Sequence, residues 1–149
     1  MMKKLSFLLS LVLMVGLMIP SVYATPDICC DTNVIHTEFG DIEIETTTII
    51  HDSVFRSSSK RADQVSSVKL NGKVIANVTL TATFGYDGKT AWVSSASGSH
   101  TTYDGWSYSG EKISKSGGTA TLAASLFKLT EGTVSVNTSL TCSPTGQIS

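Results

Sequence analysis

From Val74 to Tyr86 the chain alternates without a break. Val74, Ala76, Val78, Leu80, Ala82, Phe84 and Tyr86 fall on one side, and Ile75, Asn77, Thr79, Thr81, Thr83 and Gly85 on the other. Side chains of a strand point to opposite faces with period two, so this run predicts one long strand with a single buried face. Asp87-Gly88 follows, a strong two-residue hairpin signal, and Thr90 to Ser97 reads as the returning strand. Such a turn sets Tyr86 opposite Lys89, Phe84 opposite Ala91 and Ala82 opposite Val93, all toward the core. Trp92 then lies opposite Thr83 on the other face. Large aromatic rings are highly buried on average, which predicts that another element covers it.

The same pattern recurs along the chain. Ile42, Ile44, Thr46, Thr48 and Ile50 alternate with Glu43, Glu45, Thr47 and Ile49 as an early strand. Val65 to Leu70, with the turn Asn71-Gly72, forms a hairpin feeding the long strand. Near the C-terminus Ala120 to Leu129 and Thr133 to Cys142 flank Glu131-Gly132. A two-residue turn there puts Leu129 opposite Val134, Phe127 opposite Val136 and Ala123 opposite Leu140, with Cys142 on the same apolar face. Arg56 to Ala62 is the one stretch that reads as a short helix. Several strands joined by glycine turns predict an all-β antiparallel sandwich, or a barrel-like closure of it.

Residues 1–24 read as a secretory signal peptide. Lys3 and Lys4 give the positive start, Leu5 to Ile19 the apolar stretch, and Val22-Tyr23-Ala24 the small residues before cleavage between Ala24 and Thr25. Fifteen apolar-region residues are short for a membrane span, which needs about 20. The mature chain, 25–149, then has the size of a single domain, exported and with no membrane insertion. Without Lys3 and Lys4, nine basic residues face twelve acidic ones, a net charge of −3. No basic stripe remains, so nucleic acid is excluded as a partner. The three cysteines, Cys29, Cys30 and Cys142, are an odd count; in an oxidising compartment Cys142 is expected to pair with Cys29 or Cys30 and tie the domain's ends together.

Chemistry is sparse. The segment His100 to Gly110 gathers Tyr103, Asp104, Trp106 and Tyr108 around Asp104-Gly105. Aromatic faces beside short polar groups suit a sugar or other flat ligand, and with Trp92 they are the candidate binding residues. The competing reading is a third hairpin, with Tyr103 and Trp106 as a cross-strand pair. His36, His51 and His100 accompany no Gly-x-Ser-x-Gly or His-Glu-x-x-His motif. Asp41, Glu43 and Glu45 line one strand face, where carboxylates ordinarily solvate or protect an edge. No catalytic residue, metal site or cofactor is predicted. Asn77-Val78-Thr79 and Asn137-Thr138-Ser139 match the glycosylation pattern, relevant only in a eukaryotic secretory pathway.

The stretch from Gly105-Trp106-Ser107-Tyr108 through Gly117-Gly118-Thr119-Ala120-Thr121 to Thr141-Cys142 resembles small secreted proteins of Gram-positive bacteria that carry no assigned activity. The resemblance spans about the last half of the chain and implies a compartment, outside the cell. The reading is a non-enzymatic extracellular module for a cell-surface glycan or protein. A secreted antagonist or toxin and a small hydrolase are the alternatives.

Overall fold

The computed structural model describes residues 28–51 and 58–149. The signal-peptide reading, with its cleavage site, lies outside them. Eight strands follow in order: β1 (Ile28–Thr37), β2 (Gly40–His51), β3 (Ser59–Leu70), β4 (Lys73–Tyr86), β5 (Ala91–Thr102), β6 (Ser107–Ser116), β7 (Thr119–Lys128) and β8 (Gly132–Thr141). Every ladder is antiparallel. Strands β1 to β5 form one sheet in chain order, and β6 to β8 form a second. The two sheets pack face to face and neither closes, so the fold is an open sandwich and not a barrel. No helix occurs among the described residues; Ser59 to Ala62, expected at the end of a helix, begin β3. That serine-rich segment gains more from the ladder, where Ala62 is fully buried, than from an isolated turn of helix.

The core is the contact between the two inner faces. Ala62, Val68, Ala76, Val78, Leu80, Ala82 and Phe84 of the larger sheet meet Ala120, Leu122, Leu126, Val136 and Leu140 of the smaller one. The long alternation of β4 holds, with one irregularity. A bulge shifts the β3–β4 register between Val68 and Lys69, and leaves Ile75 as the extra residue, rotated inward to 3% exposure.

The turn chemistry decides three registers. At Asn71-Gly72 both residues have positive φ, 50° and 82°, and Leu70 pairs with Lys73 as expected for a two-residue hairpin. At Asp87-Gly88 the expectation fails. The Asp87 carboxylate accepts the backbone N–H groups of Lys89 (2.9 Å) and Thr90 (2.7 Å), making a longer loop. Tyr86 therefore pairs with Ala91, Phe84 with Val93 and Gly85 with Trp92. Ser94 is the extra residue of a second bulge, and its hydroxyl donates to the Thr83 carbonyl at 2.9 Å. At the C-terminal hairpin Lys128 pairs with Gly132 across a three-residue loop. The partners become Leu126 with Val134, Ala124 with Val136 and Ala120 with Leu140. A shift of three residues turns the strand over. Phe127 and Leu129, expected inside, stand 43% and 89% exposed, while Leu122 and Leu126 fill the core.

The expected disulfide is not formed. Cys142 is buried, its Sγ 3.4 Å from the Ser143 carbonyl, with burial pushing its thiol pKa up. Cys29 and Cys30 are exposed on β1, at the far edge of the other sheet. The chain's ends enter different layers, so sequence distance from the termini does not bring them together.

Candidate functional site

Asp104-Gly105 does not close a hairpin. Both residues have positive φ, 54° and 79°, and the Trp106 N–H donates to the Tyr103 carbonyl at 3.1 Å. The tight turn that results carries the chain out of one sheet and into the other: β5 ladders only with β4, and β6 only with β7. The aromatic segment is thereby dispersed. Trp106 is 4% exposed and belongs to the core, so its ring offers no face to a ligand. Asp104 pairs with Lys73 at 2.9 Å. Tyr108 is half-buried at the seam between the sheets, stacked on His100 with ring centroids 3.7 Å apart, and its hydroxyl donates to Glu111 at 2.7 Å. Burial, then the Glu111 carboxylate, pushes the Tyr108 phenol far above its ordinary value.

The two remaining candidates, Tyr103 and Trp92, belong to one surface. Pairing puts Asn77, Thr79, Thr81, Thr83 and Gly85 of β4 on the outer face beside Thr101, Ser99, Ser97, Ser95 and Trp92 of β5. Among the described residues no element covers Trp92, which is 45% exposed. Its ring lies against Gly85, where an added Cβ would collide with Cε2, Cζ2 and Nε1 of the indole. Glycine at this position is what lets the indole approach the backbone so closely. At the opposite end Tyr103 is 42% exposed, and the Asn77 side-chain amide donates to its hydroxyl at 3.3 Å. Between the two rings run parallel rows of Ser and Thr hydroxyls, with neighbouring strands about 4.8 Å apart and successive outward residues about 7 Å apart. Sequence reading placed Trp92 on the correct face, but missed the hydroxyl rows. The signal was present in Thr79-x-Thr81-x-Thr83 and Ser95-x-Ser97-x-Ser99.

The flank of this face is charged and internally matched. Asp63, paired with Thr81 across the ladder, contacts His51 (2.9 Å) and Arg61 (3.5 Å). Burial works to raise the Asp63 pKa, but hydrogen bonds from Thr81 and His51 and the charge of Arg61 outweigh it and hold the carboxyl below its ordinary 3.8. A depressed carboxyl stabilises the native state fully above its unfolded value, and that contribution is lost as pH falls through the folded one. Acid unfolding followed by circular dichroism should show a shallower stability loss below about pH 4 in Asp63→Asn than in the parent, because that variant has no such proton to take up.

The carboxylates of β2 are likewise engaged. Lys69 lies 2.9 Å from Glu45 and 3.9 Å from Glu43, and Asp41 contacts His36 at 2.6 Å. Among the described residues no group of three or more His, Cys, Asp or Glu side chains is placed to hold a metal ion. On the inner side, β1 and β2 overhang the smaller sheet and form an open groove of about 350 Å³ beside β8, with Cys29, Thr48, Gln64 and Thr138 in its lining. Gln64 bridges the layers there: its amide N–H donates to Thr48 Oγ1 at 3.3 Å, and its carbonyl accepts from the Thr138 hydroxyl. Those contacts tie the two sheets together at the floor of the groove.

The fold and this face define an open antiparallel β-sandwich with an aromatic-ended, hydroxyl-lined outer surface. No family model, curated protein or solved structure matches the chain.

Proposed function

We propose that the chain is a non-enzymatic extracellular binding module that holds a glycan on the outer face of β4 and β5. The observation that carries this reading is Trp92, seated against Gly85 on the outer face and 45% exposed. Pyranose rings present C–H faces that stack on such an indole, and their hydroxyls match rows of short Ser and Thr side chains. Neither side of that match needs charge, in keeping with a hydroxyl field that carries no ionisable group between Trp92 and Tyr103 on β5 except His100, which faces the other sheet. Export rests on the character of residues 1–24.

The test is retention of purified protein on insoluble peptidoglycan and on a panel of insoluble polysaccharides. Retention by at least one is expected. Trp92→Ala should weaken it at least tenfold, since buried aromatic anchors at interfaces contribute about 2 kcal/mol or more and tenfold is about 1.4. Gly85→Ala should weaken it comparably, by lifting the ring off the sheet without removing it. No retention on any glycan, or retention indifferent to both substitutions, overturns the reading.

A further inference from the structure

We infer that β1 is a self-association edge, on which a second copy of this chain pairs antiparallel to extend the five-stranded sheet across a two-fold axis at Thr32. An open sandwich has four edge strands, and native proteins protect such edges because their unpaired backbone groups template further pairing. Three of the four are protected here. β5 gives its Val93 N–H to the Gly117 carbonyl at 3.0 Å and carries the Ser94 bulge. β6 is broken by a register shift between Ser109 and Lys112, with Gly110 at a φ of 67°, and bears Glu111, Lys112 and Lys115. The end of β8 is capped by the C-terminal tail, where Thr141 and Ser149 exchange backbone hydrogen bonds of 2.8 and 2.9 Å.

β1 carries none of these devices. Its ten residues pair with β2 in unbroken register, without bulge, proline or lysine. All but Thr37 are exposed, and three of the large apolar side chains exposed on the molecule, Ile28 (59%), Val34 (49%) and Ile35 (41%), stand on it.

The occupant follows from the strand's own pattern. A two-fold axis normal to the sheet keeps each side chain on its own face, so opposed residues must differ by an even number. Centred on Thr32, Cys29 lies opposite Ile35 and Cys30 opposite Val34, apolar against apolar on both faces. Asp31 lies opposite Asn33, so the strand's lone carboxylate never meets its own copy. The apolar–polar–apolar order Cys29-Cys30, Asp31-Thr32-Asn33, Val34-Ile35 is the same read in either direction, as an isologous contact requires.

The experiment is sedimentation velocity on the chain as purified, with Cys29→Ala and Cys30→Ala introduced so that the two positions stay apolar and no thiol chemistry links copies. A concentration-dependent dimer is expected. Adding Val34→Lys should leave only monomer, with an unchanged far-ultraviolet spectrum because that side chain stands outside the core. In the same alanine background, Thr32→Cys faces its own copy at a Cα separation of about 4.5–5.5 Å, within disulfide reach. Mild oxidation with copper phenanthroline should give a covalent dimer from Thr32→Cys and none from Val34→Cys. A monomer at every concentration, a dimer indifferent to Val34→Lys, an open-ended polymer, or cross-linking through position 34 instead of 32 each overturns the inference.

Discussion

Phe84→Ala is expected to cost about 3–5 kcal/mol of unfolding free energy, the range for truncating a fully buried phenylalanine. Phe84 is the largest of the fully buried side chains, at 0% exposure. It stands near the end of β4, paired with Lys60 on one side and Val93 on the other, beneath the smaller sheet. The surrounding positions are strand residues locked on both flanks, so the site collapses poorly around the lost ring and the upper part of the range applies. Native stability is typically about 5–15 kcal/mol, so much of it would go in one substitution. Equilibrium urea denaturation should show a lower midpoint at an unchanged slope, the sign that stability has fallen without a change in the unfolded chain. Phe127→Ala, a few residues from the C-terminal turn and exposed, should shift the same curve little.

Gln64 offers the second large effect, through a different mechanism. It is 9% exposed and is hydrogen-bonded to Thr48 of its own sheet and Thr138 of the other. Gln64→Ala strands both hydroxyls, and a buried group left without its partner costs about 1–3 kcal/mol. Two such groups, together with the lost packing, give an expected loss of about 3–4 kcal/mol. The decisive comparison is Gln64→Leu with Thr138→Val. Removing both polar partners together should recover much of the loss of Gln64→Leu alone, because an apolar pair leaves little orphaned across the layers. A double-mutant cycle by urea denaturation measures that coupling; a strictly additive result would mean that the bridge between the sheets contributes nothing of its own. Ser66, 1% exposed and with no hydrogen-bond partner for its hydroxyl, marks the same polar seam one position along the inner face of β3.

The strand content and the open face of Trp92 illustrate what local pattern conveys and what it does not. Period two along β4 is a property of consecutive residues, so it survived into the structure with only the Ile75 bulge unforeseen. Register is set elsewhere, in a handful of turn atoms. Asp87 spends its carboxylate on two backbone N–H groups, and this converts an apparent two-residue turn into a longer one. At Gly132 the loop holds three residues, and that one difference exchanges Phe127 for Leu126 in the core. The binding candidates divided for the same kind of reason. Tyr103, Trp106 and Tyr108 are close in sequence, but the turn at Asp104-Gly105 changes sheets, sending one ring to the outer face, one to the core and one to the seam. Trp92 and Tyr103, eleven positions apart in sequence, share a surface because the Ser94 bulge inserts the one extra residue that brings both to the outer face. The disulfide expectation failed because it assumed that termini meet, whereas Cys142 and the β1 thiols belong to different layers.

Each sheet is a meander in which every ladder joins strands adjacent in the chain, and among the described residues the backbone crosses from one layer to the other once, through the turn Tyr103 to Trp106. Assembly order follows from that arrangement. During synthesis or passage of the chain N-terminus first, all five strands of the larger sheet are available before any strand of the smaller one exists. Hairpins can zip in sequence, each closing a short loop, while Val78, Leu80 and Phe84 wait without their cover. Docking of the smaller sheet is therefore the step expected last, and until it occurs the inner face of the larger sheet is open to aggregation and to chaperone capture.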